Sequence, residues 1–372
     1  MVNERPEMLA KSATLYFGPW YRQSPFFKST LRAGCTAYDI YNHMYLPGYY
    51  DDPEVEYHLL ATGVTMWDVG VERTVQVAGP DADRLIDMIT CRDLATCAVK
   101  QGKYMIVTSP DGGIVNDPVL LHVDENTWWM QLADSDAGLY AMGVGASAGL
   151  DAEVSFPDVH PMQVQGPLSA KTLEKLVGPA IYDLKYYWLD RFEIGDIPVV
   201  ISRTGWTAIP GFEVNLLDRS RGDELWEAVA GAGEEFGIKP IAPVEARRIE
   251  AGIFNYGSDM TIENNPFEIM GLERLVEDQE ADYIGKSALE EIRRNGVSRK
   301  LVGIEVEGDA RLGRITAGAW SPRLERNIGY AWVPIRWEPP GSAFEAETPR
   351  GRVPVTVAPL PFVDASKDIP KS

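Results

Sequence analysis

The stretch Gly112-Gly113-Ile114-Val115-Asn116-Asp117-Pro118-Val119-Leu120-Leu121 joins a glycine turn to an apolar strand, with one carboxylate between them. Glycine tolerates the positive φ angles of a tight turn, so the runs 104–108 and 119–123 are predicted to pair as a hairpin. Asp117 stands where the second run begins. Burying a carboxylate between apolar strands is costly unless a polar or cationic group meets it. Asp117 is therefore the first candidate functional residue, with a turn carboxylate that caps backbone N–H groups as the alternative.

A unit of strand, Gly-Pro and helix occurs twice along the chain. Its parts are 71–77, Gly79-Pro80 and 81–89 in the first copy, and 162–165, Gly166-Pro167 and 169–176 in the second. Both helical runs carry apolar residues at helical spacing, and the first is expected to be capped. The repetition predicts an α+β fold in which two related lobes pack together.

The C-terminal part of the chain has a different pattern. Beyond Gly296 helical periodicity disappears, and short alternating strands separated by Pro and Gly follow. They are predicted over 300–306, 327–333 and 353–357. We therefore expect two regions: residues 1–296 with the two lobes, whose strands interleave or follow one another, and residues 297–372 as a small all-β domain, closed or nearly so.

Composition and charge exclude several classes of function. The 372 residues carry a formal net charge of −20, which argues against a nucleic-acid partner because no basic face is available for phosphates. An anionic substrate would need a local cationic pocket to overcome this field. The three cysteines and four histidines show no spacing typical of a metal site, so no metal is expected. No apolar run suggests a signal peptide or a membrane span, so no membrane association is expected and a cytoplasmic location is the default.

Residues 203–214 combine an indole, prolines, glycines and a carboxylate in one strand–loop–strand segment. Trp206 and Tyr104 could stack on the faces of a flat heteroaromatic ring. Glu213 could accept two N–H bonds from an aminopyrimidine edge, and Arg248 could bind a carbonyl or carboxylate. The alternative is an internal salt bridge of Arg248 with Glu213 or Glu250, with Trp206 in the core.

The same segment resembles the signature R-T-G-Y-T-G-E-x-G-F-E-I of the tetrahydrofolate-dependent aminomethyltransferases, the glycine-cleavage T-protein family. Further matches follow in the order of that family: Arg248-x-Glu250-Ala251-Gly252, Tyr256-Gly257-x-Asp259, Pro266-x-Glu268, Tyr283-Ile284-Gly285-Lys286 and Ser321-Pro322 to Gly329-Tyr330. The resemblance extends from about Trp67 over essentially the whole remaining chain. It implies the T-protein fold, with two related α+β lobes and a small C-terminal β-barrel, and tetrahydrofolate as co-substrate.

Within the family, other segments resemble the dimethylsulfoniopropionate demethylases, which move a methyl group from a sulfonium to tetrahydrofolate. They are 40–47, Trp67-Asp68-Val69 with Glu72-Arg73, 90–94, Trp128-Trp129 and 133–136. This resemblance implies small-molecule partners, namely a methyl donor and folate, and an enzyme that gives 5-methyltetrahydrofolate. Assembly of the enzyme as a homodimer is left open.

The resemblance also implies roles for single residues. Asp117 would be the catalytic residue beside the reactive nitrogens of the folate, and Glu213 would hold the pterin edge. The other folate-binding residues would be Tyr104, Val119, Trp206 and Arg248. Substrate-binding candidates on the donor side are Tyr41, Glu72 and Arg73.

The donor side carries further alternatives. Arg73 would hold the carboxylate of the donor, or else form a surface ion pair with Glu72. A donor cation favours aromatic faces, and Phe17, Trp20 and Tyr38 are candidates for them, with a plain core role as the alternative.

Departures from the family pattern concern the donor. The paired acid of the T-proteins is Asn116-Asp117 here, and the glutamate of G-Y-T-G-E is Ile209, which argues against ordinary aminomethyl chemistry. Phe212 replaces the tyrosine expected beside Glu213. The alternatives are therefore another donor, such as a methylated amine or an aryl methyl ether, or a folate-binding protein without turnover.

Overall fold

The computed structural model describes residues 17–307, 315–348 and 351–372. Its α-helices are α1 (Phe27–Arg32), α2 (Pro53–Thr62), α3 (Ala82–Ile89), α4 (Ala137–Ala148), α5 (Ser169–Val177), α6 (Gly222–Gly233), α7 (Glu245–Glu250) and α8 (Lys286–Asn295). No helix within these ranges is both long and apolar enough to cross a membrane.

The strands in chain order are β1 (Ala37–Tyr41), β2 (Met44–Tyr49), β3 (Thr65–Asp68), β4 (Thr74–Ala78), β5 (Gly102–Tyr104), β6 (Val107–Thr108), β7 (Ile114–Asn116), β8 (Val119–Asp124), β9 (Thr127–Gln131), β10 (Glu153–Ser155), β11 (His160–Gln165), β12 (Leu189–Ile194), β13 (Ile197–Ser202), β14 (Gly211–Leu216), β15 (Lys239–Pro240), β16 (Arg299–Val306), β17 (Ile315–Ser321), β18 (Arg326–Pro334), β19 (Ala343–Thr348) and β20 (Gly351–Ala358).

The two lobes each contain one sheet backed by two helices. The first sheet has the order β10-β4-β9-β8-β5 and packs against α3 and α4, and the second has the order β12-β13-β14-β11-β3-β15 and packs against α5 and α6. Strand β3 precedes the whole first lobe in sequence, yet it pairs with β11 in the second sheet. The lobes are therefore interleaved.

The repeated Gly-Pro turns have the same backbone conformation. Gly79 and Gly166 have φ angles of 128° and 129°, in the region that favours glycine. A Cβ at either position would collide with a backbone carbonyl oxygen, that of Asp151 or Gly63. The helices begin where they were predicted, although the Asp81 side chain does not cap α3 and instead accepts a hydrogen bond from Asp151 N.

The predicted hairpin is divided into two short pairs. Strands β5 and β8 pair through Tyr104 and Val119, and β6 pairs with β7 next to the turn. Between these pairs lies Asp117-Pro118, where proline has no N–H to continue the ladder. This interruption separates Asp117 from regular strand pairing and leaves its side chain buried beside the first sheet.

The C-terminal sheet is antiparallel and has the order β17-β18-β16-β20-β19. Helix α7 packs against β17 and β18, which joins this sheet to the lobes. After β20, residues 359–372 return to the lobes, where Arg203 Nη2 donates a hydrogen bond to Ser372 O. Residues from all three parts consequently meet around one cavity.

A substitution in the turn tests how tightly the hairpin is held. Gly113→Ala should lower the free energy of unfolding by about 1–3 kcal/mol, because its Cβ would overlap the Ile262 carbonyl oxygen and crowd Ser109 Oγ. Urea unfolding followed by circular dichroism would measure the change. Gly143→Ala is the matched control: Gly143 lies in α4 with open space around it, so alanine should raise stability by about 0.5–1 kcal/mol. Equal effects of the two substitutions would contradict the close approach at Gly113.

Candidate active site

Asp117 is buried at the break between β7 and β8. Tyr104 Oη donates a hydrogen bond of 2.8 Å to Asp117 Oδ2. The second oxygen, Oδ1, is also buried and has no hydrogen-bond partner among the described residues. A buried carboxylate oxygen without a donor is unfavourable, so this atom is suited to a ligand N–H or a developing positive charge.

The surroundings of Asp117 favour its protonated form. Burial raises the pKa of Asp117 to about 7, the Tyr104 hydrogen bond lowers it in part, and the negative charge of Asp259 raises it further. This carboxyl group can therefore exchange a proton near neutral pH, which is the property expected of a general acid or base.

Glu213 lies in the middle of β14 and is almost completely buried. Its Oε1 accepts a 3.1 Å hydrogen bond from Gln163 Nε2, and its Oε2 accepts one from Thr204 Oγ1, which itself bonds Ser202 Oγ. Burial raises the pKa of Glu213, and the bonds from Thr204 and Gln163 lower it in part. The carboxylate is thus held in one orientation by two neighbouring strands and the loop that follows β13.

Glu72, which follows β3, lines the same cavity as Glu213. Burial raises its pKa well above the usual range, and the charge of Glu213 raises it further. Its carboxylate makes no hydrogen bond or ion pair within the described ranges. Tyr41 lines this part of the cavity as well, and burial together with the charges of Asp117 and Glu72 raises the pKa of its phenol. The cavity therefore holds the carboxyl groups of Glu72, Asp117 and Glu213 and a phenol that stays protonated.

Seven of the predicted site residues line this one cavity, which lies among the two lobes and the C-terminal segment. They are Tyr41, Glu72, Tyr104, Asp117, Val119, Trp206 and Glu213. The cavity has a volume of about 190 Å³ and opens to solvent.

The structure does not bring Arg248 to the cavity surface. Its guanidinium is buried behind the wall, where Nη1 lies 2.6 Å from Asp259 Oδ2 and Nη2 lies 2.7 Å from Glu245 Oε2. The ion pairs are therefore not those with Glu213 or Glu250 considered above. The guanidinium carbon lies 5.5 Å from the centre of the Trp206 ring, so Arg248 supports an aromatic side chain that does reach the cavity.

The remaining donor-side candidates also lie away from the cavity lining. The guanidinium carbon of Arg73 lies 4.8 Å from the centre of the Phe156 ring. Arg73 Nη1 lies 3.9 Å from Asp136 Oδ1, and Arg73 does not pair with Glu72. Phe17 and Tyr38 pack edge-to-face with each other and with Tyr45 in a separate aromatic cluster, and Trp20 is 85% exposed.

The cavity also contains residues that were not predicted from the sequence. Tyr186 and Tyr187, in the loop before β12, lie near Glu213, and Arg274 and Lys367 also line the cavity. The run Tyr186-Tyr187-Trp188 was an available signal for an aromatic site. Arg274 and Lys367 are single cations in charged segments, and nothing in their local sequence distinguishes them.

The family assignment rests on matches over most of the chain. A sequence profile of the GCVT N-terminal domain matches residues 26–280, and one of the glycine cleavage T-protein C-terminal barrel domain matches residues 290–364. The chain belongs to the glycine-cleavage T-protein family. This result confirms the predicted family. It also confirms the prediction that the protein is an enzyme, because the members of the family are folate-dependent transferases.

Individual relatives of this T-protein family member agree with the assignment. It is 33% identical to "Dimethylsulfoniopropionate demethylase DmdA" of Ruegeria pomeroyi over 350 residues, 90% of this chain and 96% of that protein. It is 28% identical to an aminomethyltransferase of Bacillus mycoides over 365 residues, 93% of this chain and 99% of that protein. The glycine cleavage system aminomethyltransferase T from Bartonella henselae shares the fold, with a TM-score of 0.83 and 21% identity over 92% of this chain and 98% of that one. The predicted T-protein fold is thereby confirmed.

The raised pKa of Asp117 predicts a pH-dependent effect on stability. Its pKa is near 3.8 when unfolded and about 7 when folded, so the folded state binds more protons between these values and loses stability as pH rises through them. Asp117→Asn keeps an acceptor for Tyr104 and removes the buried charge. At about pH 8 the variant should be more stable than the wild type, by at most about 1.4 kcal/mol for each unit of the pKa difference, and the gain should vanish near pH 4.

Urea unfolding at a series of pH values would measure this difference. Asp111→Asn is the control in the same hairpin, because hydrogen bonding from Ser109 lowers the pKa of the exposed Asp111 and no stabilisation at high pH is expected. A gain for Asp117→Asn that is independent of pH would contradict the assignment of the titration to this carboxyl group.

Proposed function

We propose that the protein transfers a methyl group from dimethylsulfoniopropionate, or a similar sulfonium, to N5 of tetrahydrofolate and so forms 5-methyltetrahydrofolate. The observation that carries this proposal is the buried Asp117 carboxyl group, which lines the same cavity as Glu213 and Trp206. It has a pKa near neutrality and one oxygen without a hydrogen-bond partner among the described residues. The similarity to a dimethylsulfoniopropionate demethylase supports the choice of donor.

The cavity suits a reduced pterin on physical grounds. A pterin presents several N–H donors along its edge, and the partnered carboxylate of Glu213 is oriented to accept two of them. Trp206 and Tyr104 offer aromatic faces for the ring, and Val119 adds an apolar contact. In this proposal Arg248 contributes from behind the wall, because it holds Trp206 and not the ligand.

Bound tetrahydrofolate would supply a nucleophilic N5, whose electron pair would form the N–CH₃ bond. The C–S bond would break at the same time, and its electrons would stay on sulfur, which would leave as a neutral thioether. Positive charge then moves from the donor towards Asp117, and the ionised carboxylate stabilises it and accepts the N5 proton. No acid is required for the leaving group. The remaining contribution of the site is alignment of the two reactants, which is worth about 7–11 kcal/mol in well-oriented reactions.

The Glu72 carboxyl group and the ring of Tyr41 are proposed to hold the donor cation, whose charge would favour the ionised form of Glu72. Glu72 lacks a positive partner among the described residues, and a sulfonium would provide one. Arg73 is further from the cavity, so a contact with the donor carboxylate would need its side chain to turn from Asp136. Location in the cytoplasm and a homodimer stay predictions.

A second donor class is an aryl methyl ether, whose alkoxide leaving group needs an acid. The protonated Tyr41 phenol at the cavity is the observation in its favour. The two donors are distinguished by incubating the protein with tetrahydrofolate and each donor separately, with 5-methyltetrahydrofolate measured by chromatography. Product from an aryl ether and none from the sulfonium would overturn the proposed donor.

Asp117→Asn should reduce turnover much more than folate affinity. Loss of a group that takes a proton and stabilises developing charge typically costs about 10²- to 10⁴-fold in rate. Steady-state kinetics with dimethylsulfoniopropionate would give kcat, and calorimetric titration with tetrahydrofolate would give Kd. The wild-type rate should rise as pH passes through about 7, because only the ionised carboxylate accepts the proton. Asp111→Asn should leave both constants unchanged, whereas equal losses in kcat and affinity for Asp117→Asn would argue against the catalytic role.

Glu213→Gln should have the opposite profile, with most of the loss in folate affinity. A hydrogen bond to a charged group contributes about 1.5–3 kcal/mol, which corresponds to roughly 10- to 150-fold in Kd. Calorimetric titration with tetrahydrofolate would measure the change. Glu193→Gln on the exposed edge strand β12 is the matched control and should bind normally. Unchanged affinity in Glu213→Gln would remove Glu213 from the folate site.

A further inference from the structure

A second cavity lies against the opposite face of strand β14 from the cavity of Asp117. Phe212 lines the second cavity and Glu213 lines the first, and successive residues of a strand point to opposite faces. The second cavity has a volume of about 560 Å³, and none of its lining residues lines the first. It is therefore a separate space, and its size is typical of sites for small ligands.

The side chains that line the second cavity carry charge of a single sign. Arg203, Arg247 and Arg323 line it together with His58, whereas no Asp or Glu side chain of the described ranges does. In the whole chain acidic residues outnumber basic ones, 55 to 35. We name this space the arginine cavity, after Arg203, Arg247 and Arg323. A positively charged concave surface in so acidic a protein attracts anions locally.

Arg247 is the most deeply buried of the three arginines, with only 4% of the residue exposed. Its Nη1 donates hydrogen bonds of 3.1 Å to Tyr57 Oη and 2.9 Å to Glu250 Oε2. Glu250 Oε1 in turn accepts hydrogen bonds from Tyr57 Oη and Ser321 Oγ, so the guanidinium is held in place. Its Nε is buried and has no partner among the described residues. A buried donor without an acceptor is unfavourable, and an anion in the cavity would offset this cost.

Arg203 and Arg323 form no ion pair with an Asp or Glu side chain in the described part of the chain. Arg203 donates through Nη1 and Nη2 to the main-chain oxygens of Leu184 and Ser372, and its buried Nε has no partner there. Burial lowers the pKa of Arg203. Arg323 is exposed in the turn between β17 and β18, and its side chain makes no hydrogen bond with any described residue. Both guanidinium groups are therefore available to an anionic ligand.

Helix α5 begins at the arginine cavity. Its first two residues, Ser169 and Ala170, line the cavity, and no side chain caps the start of the helix. The N–H groups of a first helical turn have no acceptor within the helix, and the helix dipole places partial positive charge there. Ile209 and Phe212 contribute apolar surface to the same lining. An occupant would thus meet N–H donors and apolar side chains together.

We propose that the arginine cavity binds a small organic carboxylate with an apolar body, at a site separate from the cavity of Asp117. A planar carboxylate matches the fork of N–H donors that a guanidinium presents. The apolar body would cover Ile209 and Phe212 and remove them from water. This inference is independent of the proposed function, because none of the residues that carry it lines the cavity of Asp117.

Benzoate is a suitable probe because it joins a carboxylate to an apolar ring, and benzamide is a neutral counterpart of the same shape. Ligand-observed NMR titrations of the full chain should give a Kd of about 1–10 mM for benzoate and binding at least about tenfold weaker for benzamide. Arg203→Gln and Arg323→Gln should each weaken benzoate binding by about tenfold. Lys28→Gln, which removes an exposed charge from α1 outside both linings, should bind benzoate as the wild type does.

Competition with tetrahydrofolate separates the two cavities. Saturating tetrahydrofolate should leave benzoate binding unchanged, because the cavities share no lining residue. If tetrahydrofolate displaces benzoate, and Arg274→Gln weakens its binding while Arg323→Gln does not, benzoate occupies the cavity of Asp117 and the inference is wrong. Equal binding of benzoate and benzamide, or no detectable binding of benzoate, would also overturn it. Arg323→Gln decides the question should Arg203→Gln fail to fold, because the Arg323 side chain is exposed.

Discussion

The cavity depends on the carboxyl group of Asp117, which is buried and forms no ion pair with any described residue. The break in pairing at Asp117-Pro118 removes Asp117 from the strand ladder, and a single hydrogen bond from Tyr104 partly compensates for its burial. Because no salt bridge stabilises the ionised form, burial raises the pKa of Asp117. A group with that property can interact with a charge that appears during a reaction, which a permanently paired carboxylate cannot do.

Around this group, the fold separates buried charges that are compensated from those that are not. Arg248 with Asp259, and Arg247 with Glu250, form buried ion pairs whose members are not part of the cavity lining. Glu72 and Lys367, which line the cavity, have no such partners among the described residues. Paired charges hold the wall and its aromatic side chains in place, and unpaired ones face the space where ligands bind. The two groups of charges therefore have different physical roles although their residue types are the same.

Much of the architecture follows from local sequence. Two Gly-Pro turns together with strand and helix periodicity were sufficient to predict two related lobes and an all-strand C-terminal region. In the structure the two turn glycines have nearly identical φ angles. Motif resemblance added the family, and seven of the nine predicted site residues line one cavity. Interleaving of the lobes was left open, because the position of β3 in the second sheet depends on contacts about a hundred residues apart in sequence.

The sequence by itself determined the order of the elements, the family and the identity of Asp117 and Glu213 as candidates, because turn chemistry, periodicity and motifs are local properties. Only the tertiary structure decided which charged residues reach the cavity. Arg248 pairs with Asp259 and does not reach the cavity, whereas Arg274 and Lys367 line it although their segments carry no motif. The protonation behaviour of Asp117 was likewise decided in three dimensions, because desolvation is the summed effect of neighbours that are distant along the chain.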